Sequence, residues 1–250
     1  SDSCVISDNE KHLKSGFNHV LNRPLFTIED PELTYSVSPY QTACGITDIM
    51  MHSLERYFNA SDDNQLADAW ALDLCKNVMV AGLKALQNPH DYDARAQLML
   101  DSSLSHDGLT SLGKKAMFVV HPLEHGLSGY RPKIAHGAGI AICYLGWARY
   151  VYQKDPAKFA RLARSLFDIK VEDGRKAAIM GIDEMRNFYV SIGMPTSLKE
   201  VGITENDLPE LADLVSGNGT HVIGCCPQSL EKQDVLGVYR LCLDSRRISL

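Results

Sequence analysis

The feature that most limits the fold of this 250-residue chain is a single change in the period of its apolar residues, near residue 38. Before it, apolar residues occur in short runs such as CVIS (4–7) and PLFTIED (24–30), which predict two strands. The polar segment between them, residues 11–22, predicts a loop or a turn of helix. After it, apolar residues recur every three or four positions, which predicts amphipathic helices. We therefore expect a mainly α protein with a short β-containing start.

The helical part divides into nine predicted segments. In the second, Leu66, Trp70 and Leu74 lie on one apolar stripe. In the third, Asp91 is the predicted N-cap, and Gly108 lies beyond the end of the helix. The predicted helices are residues 41–59, 62–88, 91–106, 115–129, 136–153, 156–169, 175–192, 205–215 and 229–243.

Charge, apolar runs and cysteines narrow the class of protein. The net charge is −6 and there is no Lys/Arg-rich run, which argues against a nucleic-acid surface. The longest apolar run, residues 137–148, is shorter than the about 20 residues that span a bilayer, so no membrane partner is expected. Seven scattered cysteines without a CxxC pair are typical of reduced thiols, which predicts a cytoplasmic protein. The absence of an initiator Met predicts a fragment or a processed product.

Five polar residues form a candidate metal site. Asp48 and His52 are four residues apart on a predicted helix, which places their side chains on one face, about 5–6 Å apart. His121 and His125 repeat this spacing, and His136 follows at the start of another predicted helix. Imidazole nitrogens with one carboxylate suit a borderline divalent ion such as Zn²⁺, Fe²⁺, Mn²⁺ or Co²⁺.

The pattern leaves alternatives open. A polar pair at this spacing is more often a solvated helix face, and the pattern cannot choose which of His121, His125 and His136 are ligands. Glu55 lies on the same helix face as Asp48. Its carboxylate has two interpretations, namely a partner that orients a ligand imidazole or a member of a surface ion pair.

Three segments resemble the iron-containing (group III) alcohol dehydrogenases, in the branch of NAD(P)H-dependent butanol dehydrogenases and aldehyde reductases. They are SPYQTACGITDIMMHSLERYF (38–58), DYDARAQLMLDSSLSHDGL (91–109) and HPLEHGLSGYRPKIAHGAGIAI (121–142). In that family a dinucleotide-binding α/β domain precedes a helical metal-binding domain. The resemblance implies that residues 1–37 are the end of the first domain and that residues 38–250 are the helical metal-binding domain.

The resemblance also implies roles for the candidate residues. The family's one aspartate and three histidines that hold the ion fall on Asp48, His52, His121 and His136. His125 resembles a catalytic histidine that is not a ligand and lies near nicotinamide and substrate. The implied cofactors are Fe²⁺ or Zn²⁺ and NAD(P)H, with NAD(P)H held mostly by the preceding domain. The implied substrate is a small primary alcohol or its aldehyde, and the parent enzyme is expected to be a homodimer.

Two departures from the family pattern affect these expectations. The loop between His125 and His136 is one residue longer than is usual in the family. The family's glycine-rich phosphate-binding segment has no counterpart in the chain. We therefore expect the chain alone to be inactive as a dehydrogenase.

Two competing hypotheses remain at this point. The first is a non-catalytic helical metal-binding or interaction module. The second is a helical metal phosphohydrolase, which would need an adjacent His-Asp dipeptide in its site. His90-Asp91 and His106-Asp107 supply such dipeptides, but both fall at predicted helix ends and are interpreted as loop or cap residues.

Overall fold

The structure is a computed structural model that describes residues 2–59, 64–115, 117–224 and 226–244. The described residues form a helical body preceded by one two-stranded sheet, so the predicted mainly α fold is confirmed. None of the described helices has both the length and the apolar character that crossing a bilayer requires. The helices are α1 (Pro39–Tyr57), α2 (Gln65–Gln87), α3 (Tyr92–His106), α4 (Val120–Tyr130), α5 (His136–Val151), α6 (Pro156–Phe167), α7 (Gly174–Ser191), α8 (Leu208–Ser216) and α9 (Lys232–Cys242).

Local signals set several helix ends. The Asp91 side chain accepts a hydrogen bond from the backbone N–H of Ala94, which caps α3 as predicted. Beyond its other end, Gly108 has φ +99°, a left-handed conformation that glycine adopts without strain. The start of α4 is different. It begins at Val120, later than predicted, because its first backbone N–H groups are capped by Glu55 of α1.

The sheet is an antiparallel hairpin of β1 (Ser3–Asp8) and β2 (Leu13–Asn18). Its register pairs Ser3 with Asn18 and Asp8 with Leu13. The Asp8 carboxylate accepts hydrogen bonds from the backbone N–H groups of two residues in the turn, Glu10 and Lys11. A polar turn therefore closes the hairpin locally.

The second strand was predicted in the wrong place. Residues 24–30 are not a strand, and β2 lies in the polar segment that predicted a loop or a turn of helix. A strand needs a neighbouring strand that pairs with its backbone N–H and C=O groups. No described segment pairs with residues 24–30 in this way. Their apolar side chains are exposed, with Phe26 at 78%. Backbone pairing across the turn, rather than apolar content, selects β2.

The core is organised around α5, which is buried along most of its length, with Trp147 2% exposed. Its first turn lies directly against α1, because a Cβ at Gly137 would be 2.3 Å from the backbone oxygen of Cys44. Only glycine permits this approach. The contact brings His136, at the start of α5, beside Asp48, one turn beyond Cys44 on α1.

Candidate metal centre

The four predicted ligands meet at one carboxylate oxygen. The Nε2 atoms of His52, His121 and His136 lie 3.5, 3.2 and 3.5 Å from Asp48 Oδ1. The Nε2 atoms of His52 and His121 are 3.2 Å apart. Ligand atoms at the corners of a tetrahedron with bonds of about 2.0–2.1 Å are about 3.3–3.4 Å apart. The separations among Asp48, His52 and His121 therefore fit three donors of one first-row divalent ion, and His136 adds a contact to Asp48 alone.

His136 occupies the edge of this arrangement. The ligand atoms of Asp48, His52 and His121 lie within 4.8 Å of one another, whereas His136 is grouped in the same way with Glu124 and His125. The two ring nitrogens of His136 contact residues of both groups. Nε2 of His136 faces Asp48, and Nδ1 contacts the Glu124 carboxylate. His136 thus connects the two groups.

Glu55 holds His121 from the side opposite Asp48. Its carboxylate is 5% exposed, so the surface ion-pair interpretation is wrong. Oε2 contacts Nδ1 of His121, and Oε1 accepts hydrogen bonds from the backbone N–H groups of Val119 and Val120. A carboxylate on one ring nitrogen fixes the tautomer and leaves the other nitrogen free to bind a metal.

Glu124 holds His136 in the same way, and the sequence analysis missed it. The Glu124 carboxylate is fully buried and its Oε2 contacts Nδ1 of His136. Lys14 of β2 reaches the same place, with its Nζ 3.1 Å from Glu124 Oε2 and 2.9 Å from Ser128 Oγ. Glu124 lies one turn after His121, a spacing that was readable from the sequence. Lys14 gave no such signal, because its strand was predicted as a loop or a turn of helix.

The pKa values of the site residues follow from burial and from these contacts. Burial raises the pKa of Asp48, but the hydrogen bond from His121 and the nearby imidazoles outweigh it and lower the pKa. Burial lowers the pKa of His52 well below its ordinary value. Burial opposes charge on His121 as well, yet the carboxylates of Glu55 and Asp48 raise its pKa to about 10. Without an ion, the site therefore holds a proton on His121.

A cavity of about 470 Å³ opens over the predicted ligands. His125 lies in its wall and also borders a neighbouring cavity of about 240 Å³, which Lys14 lines. Burial lowers the pKa of His125 to about 4, so its imidazole is neutral at pH 7. A neutral imidazole keeps one ring nitrogen able to accept a hydrogen bond.

His106, interpreted as a loop or cap residue at a predicted helix end, does lie at the end of α3 and is also part of the site. It ends α3, it lines the larger cavity, and the centroid of its ring is 3.6 Å from that of His52. Its neighbour Asp107 accepts a hydrogen bond from the backbone N–H of Leu109. The His-Asp dipeptide therefore does not present two adjacent ligands to one ion.

The helical body thus brings a carboxylate and three imidazoles together below a cavity, an arrangement that could hold a divalent ion. Comparison with known proteins gives the family. Residues 42–243 match the Fe-containing alcohol dehydrogenase family, C-terminal, and the chain belongs to this family. The predicted resemblance is thereby confirmed.

Individual relatives and solved structures agree with this assignment. The chain is 36% identical over 239 residues to NADH-dependent butanol dehydrogenase A of Clostridium acetobutylicum, covering 95% of this chain and 61% of that protein. It is 27% identical over 221 residues to the NADPH-dependent aldehyde reductase YqhD of Escherichia coli, covering 88% and 57%. The crystal structure of NADH-dependent butanol dehydrogenase A from Thermotoga maritima superposes with a TM-score of 0.91 at 30% identity, covering 97% and 62%. The chain thus spans about three fifths of the length of these relatives.

Proposed function

We propose that this chain is the metal-binding part of an NAD(P)-linked alcohol dehydrogenase, which interconverts a small primary alcohol and its aldehyde. The observation that carries the proposal is the convergence of three Nε2 atoms on Asp48 Oδ1 beneath a cavity. Membership of the Fe-containing alcohol dehydrogenase family supports the reaction class, and the butanol dehydrogenase and aldehyde reductase relatives support the substrate class.

We assign the ligands as Asp48, His52, His121 and His136, with Fe²⁺ as the proposed ion and Zn²⁺ as the alternative. When bound, such an ion supplies Lewis-acid chemistry toward the oxygen of an alcohol or aldehyde. One carboxylate with three neutral imidazoles leaves one positive charge uncompensated on a divalent ion. The ligand set therefore favours negative charge on a substrate oxygen in the cavity.

We assign proton transfer to His125. Its imidazole is neutral at pH 7 and lies in the wall shared by the two cavities. It is therefore positioned to take a proton from the substrate side and to pass it toward the smaller cavity.

Hydride transfer requires nicotinamide and substrate to be held together. We propose that residues 1–37 are the end of a dinucleotide-binding domain and that residues 38–250 are the metal-binding domain. We further propose that the complete enzyme is a cytoplasmic homodimer that holds NAD(P)H mostly through the remainder of the first domain. On this basis the chain alone binds metal but does not turn over substrate.

Metal content per chain under anaerobic conditions tests the ligand assignment. We expect near-stoichiometric metal in the wild type and in His125→Ala, and loss of metal in His121→Ala. Metal retained by His121→Ala would contradict the assignment. Metal lost from His125→Ala would make His125 a ligand and not the residue that transfers the proton.

Activity is tested on two chains. One is this chain alone, and the other joins it to the N-terminal part of the Clostridium butanol dehydrogenase. We expect aldehyde reduction with NADH or NADPH from the joined chain only, and no release of phosphate from phosphate esters by either. A metal-loaded joined chain without turnover would favour the second candidate, a non-catalytic metal-binding or interaction module.

A further inference from the structure

We propose that Glu124 is a positioning residue that keeps His136 in the tautomer able to bind a metal, against the competing hydrogen bond that Lys14 offers to the same ring nitrogen. This inference rests on the proposed function in that it takes His136 as a metal ligand. It concerns metal binding alone and does not require turnover.

Two groups compete for Nδ1 of His136. The carboxylate of Glu124 contacts it, and the ammonium Nζ of Lys14 lies 3.1 Å away. A carboxylate only accepts hydrogen bonds, so with Glu124 as the partner Nδ1 carries the proton and Nε2 keeps its lone pair. An ammonium only donates, so with Lys14 as the partner Nδ1 is the acceptor and a neutral ring carries its proton on Nε2.

Only the first tautomer suits the site. Nε2 of His136 is the atom that faces Asp48, 3.5 Å from its Oδ1. A metal ligand must present a lone pair, so a proton on Nε2 would point into the donor set and exclude the ion. The identity of the group on Nδ1 thus decides whether His136 is able to bind metal.

The carboxylate of Glu124 is held in a built pocket. A Cβ at Gly139, one turn into α5, would lie 2.8 Å from Glu124 Cγ and 3.0 Å from its Oε1. Oε1 is buried and has no hydrogen-bond partner among the described residues, which is costly for a carboxylate. A stability requirement alone would favour an apolar side chain here, so we connect the buried carboxylate to its contact with His136.

Lys14 compensates the buried charge and also fills the neighbouring space. It pairs with Glu124 Oε2 and with Ser128 Oγ, and its side chain is 15% exposed. The group formed by Glu124, His125 and His136 therefore already holds a cation, namely the Lys14 ammonium. We accordingly do not assign a second metal to it.

The test uses four variants of this chain, namely Glu124→Leu, Glu124→Gln, Lys14→Met and the double variant Glu124→Leu/Lys14→Met, with Co²⁺ as the probe. The Kd for Co²⁺ is measured by competition with a chromophoric chelator. Glu124→Leu is expected to weaken binding about 10- to 100-fold, the usual effect of removing such a partner. The double variant is expected to bind more tightly than Glu124→Leu, because no ammonium then competes for Nδ1.

Glu124→Gln provides the conservative rescue. The amide oxygen of the glutamine still accepts a hydrogen bond from Nδ1, so the loss of Co²⁺ affinity is expected to be smaller than in Glu124→Leu. Because glutamine has nearly the volume of glutamate, this variant also provides the test if Glu124→Leu does not fold. Asp101→Asn is the matched control, because Asp101 is a buried carboxylate that is hydrogen-bonded to Asn77 and Gln97 and contacts no site imidazole. It is expected to leave the Kd unchanged.

Tautomers are measured directly by ¹⁵N NMR of the metal-free histidine side chains. We expect His136 to carry its proton on Nδ1 in the wild type and on Nε2 in Glu124→Leu. Unchanged Kd and tautomer in folded Glu124→Leu would overturn the inference, as would a double variant no better than Glu124→Leu. A wild type that binds no Co²⁺ would instead contradict the proposed function, so the two failures are distinguishable.

Discussion

Two imidazole–carboxylate pairs flank the centre, and they are anchored differently. The Glu55–His121 pair lies within the helical body, where Glu55 also caps the first turn of α4. The Glu124–His136 pair leaves one carboxylate oxygen without a partner among the described residues and shares the other with Lys14 of the hairpin. Both carboxylates are buried between helices, but only the second pair also contacts the hairpin that is docked against α4. In both pairs a carboxylate contacts Nδ1 of an imidazole, but the carboxylates have different further partners. Removing one carboxylate is therefore expected to change the stability of the protein by a different amount from removing the other.

The largest expected effect is on the first pair. We predict that Glu55→Leu lowers the free energy of unfolding of the metal-free protein by about 3–5 kcal/mol, because it breaks a buried charged pair and removes the cap of α4. Urea unfolding measures the change. Glu124→Leu is the comparison variant and should cost less, because Lys14 is able to swing into solvent. Equal losses in the two variants would remove the distinction between the pairs.

Removing the ion should have the next largest effect. The proposed ligands lie on α1, α4 and α5, so binding of an ion by them would be linked to folding. A free ion at 100 times its Kd would contribute about 2.7 kcal/mol. For a chain of this size that is about 5–10 °C in Tm. Calorimetry before and after chelation measures the shift, and His125→Ala should retain it. An unchanged Tm with metal demonstrably removed would argue against a bridging site.

The contact that places His136 beside Asp48 is tested by Gly137→Ala. The added Cβ would meet the backbone of Cys44, so α1 and α5 must separate. We predict a loss of about 1–3 kcal/mol of stability, as in other overpacked cores, together with weaker metal binding. Gly45→Ala on α1 is the matched control, because its Cβ meets nothing within 4 Å, and it should stabilise the helix by about 0.5–1 kcal/mol. A Gly137→Ala variant as stable as the control would show that the close approach is not required.

The pH dependence of metal binding distinguishes the pairs further. The pKa of His121 is raised to about 10 from its ordinary value of 6.5, so its charge stabilises the metal-free fold below pH 6.5. That contribution is lost as pH rises toward 10. The ion must displace this proton, so we predict that the Kd falls by up to about tenfold per pH unit between pH 7 and 9. Glu55→Gln should flatten the slope and Lys14→Met should not. A wild-type Kd independent of pH would contradict the assignment of the proton to His121.

The smallest expected effect concerns the pocket of the second pair. Gly139→Ala would push a Cβ against Glu124, whose side chain is able to shift within its pocket. We predict a loss of metal affinity of less than about tenfold, below the loss expected when the carboxylate is removed. The same Co²⁺ competition measures it beside Gly45→Ala. A loss as large as that of Glu124→Leu would mean that the carboxylate has no freedom to adjust.

The sequence predictions were confirmed where the signal lies within one element, and they failed where the structure depends on contacts between distant parts of the chain. The caps of α3 and the periodic helices were predictable because their signals lie within one element. The late start of α4 was not predictable, because its cap comes from Glu55, which lies far away in the sequence. The strand predicted at residues 24–30 was wrong, because apolar content does not supply the partner that a strand needs.

The candidate site shows the same contrast between local signals and contacts between elements. The i, i+4 spacings placed Asp48 with His52 and His121 with His125 on shared helix faces, and the resemblance supplied the ligand roles, which remain predictions. The partners of the imidazoles come from contacts between elements. Glu124 was missed although it lies inside the histidine motif, since spacing does not show which neighbour a side chain contacts.

By itself, the sequence determined the helical class and the family, and it supplied the candidate residues for a metal site. Each of these depends on local periodicity or on a contiguous motif. Tertiary structure alone decided that three helices bring those residues to one oxygen, that Glu124 and Lys14 meet at His136, and that His106 lies on His52. The physical reason is that such contacts depend on how closely helices and hairpin pack, and glycine approaches such as Gly137 against Cys44 set that distance.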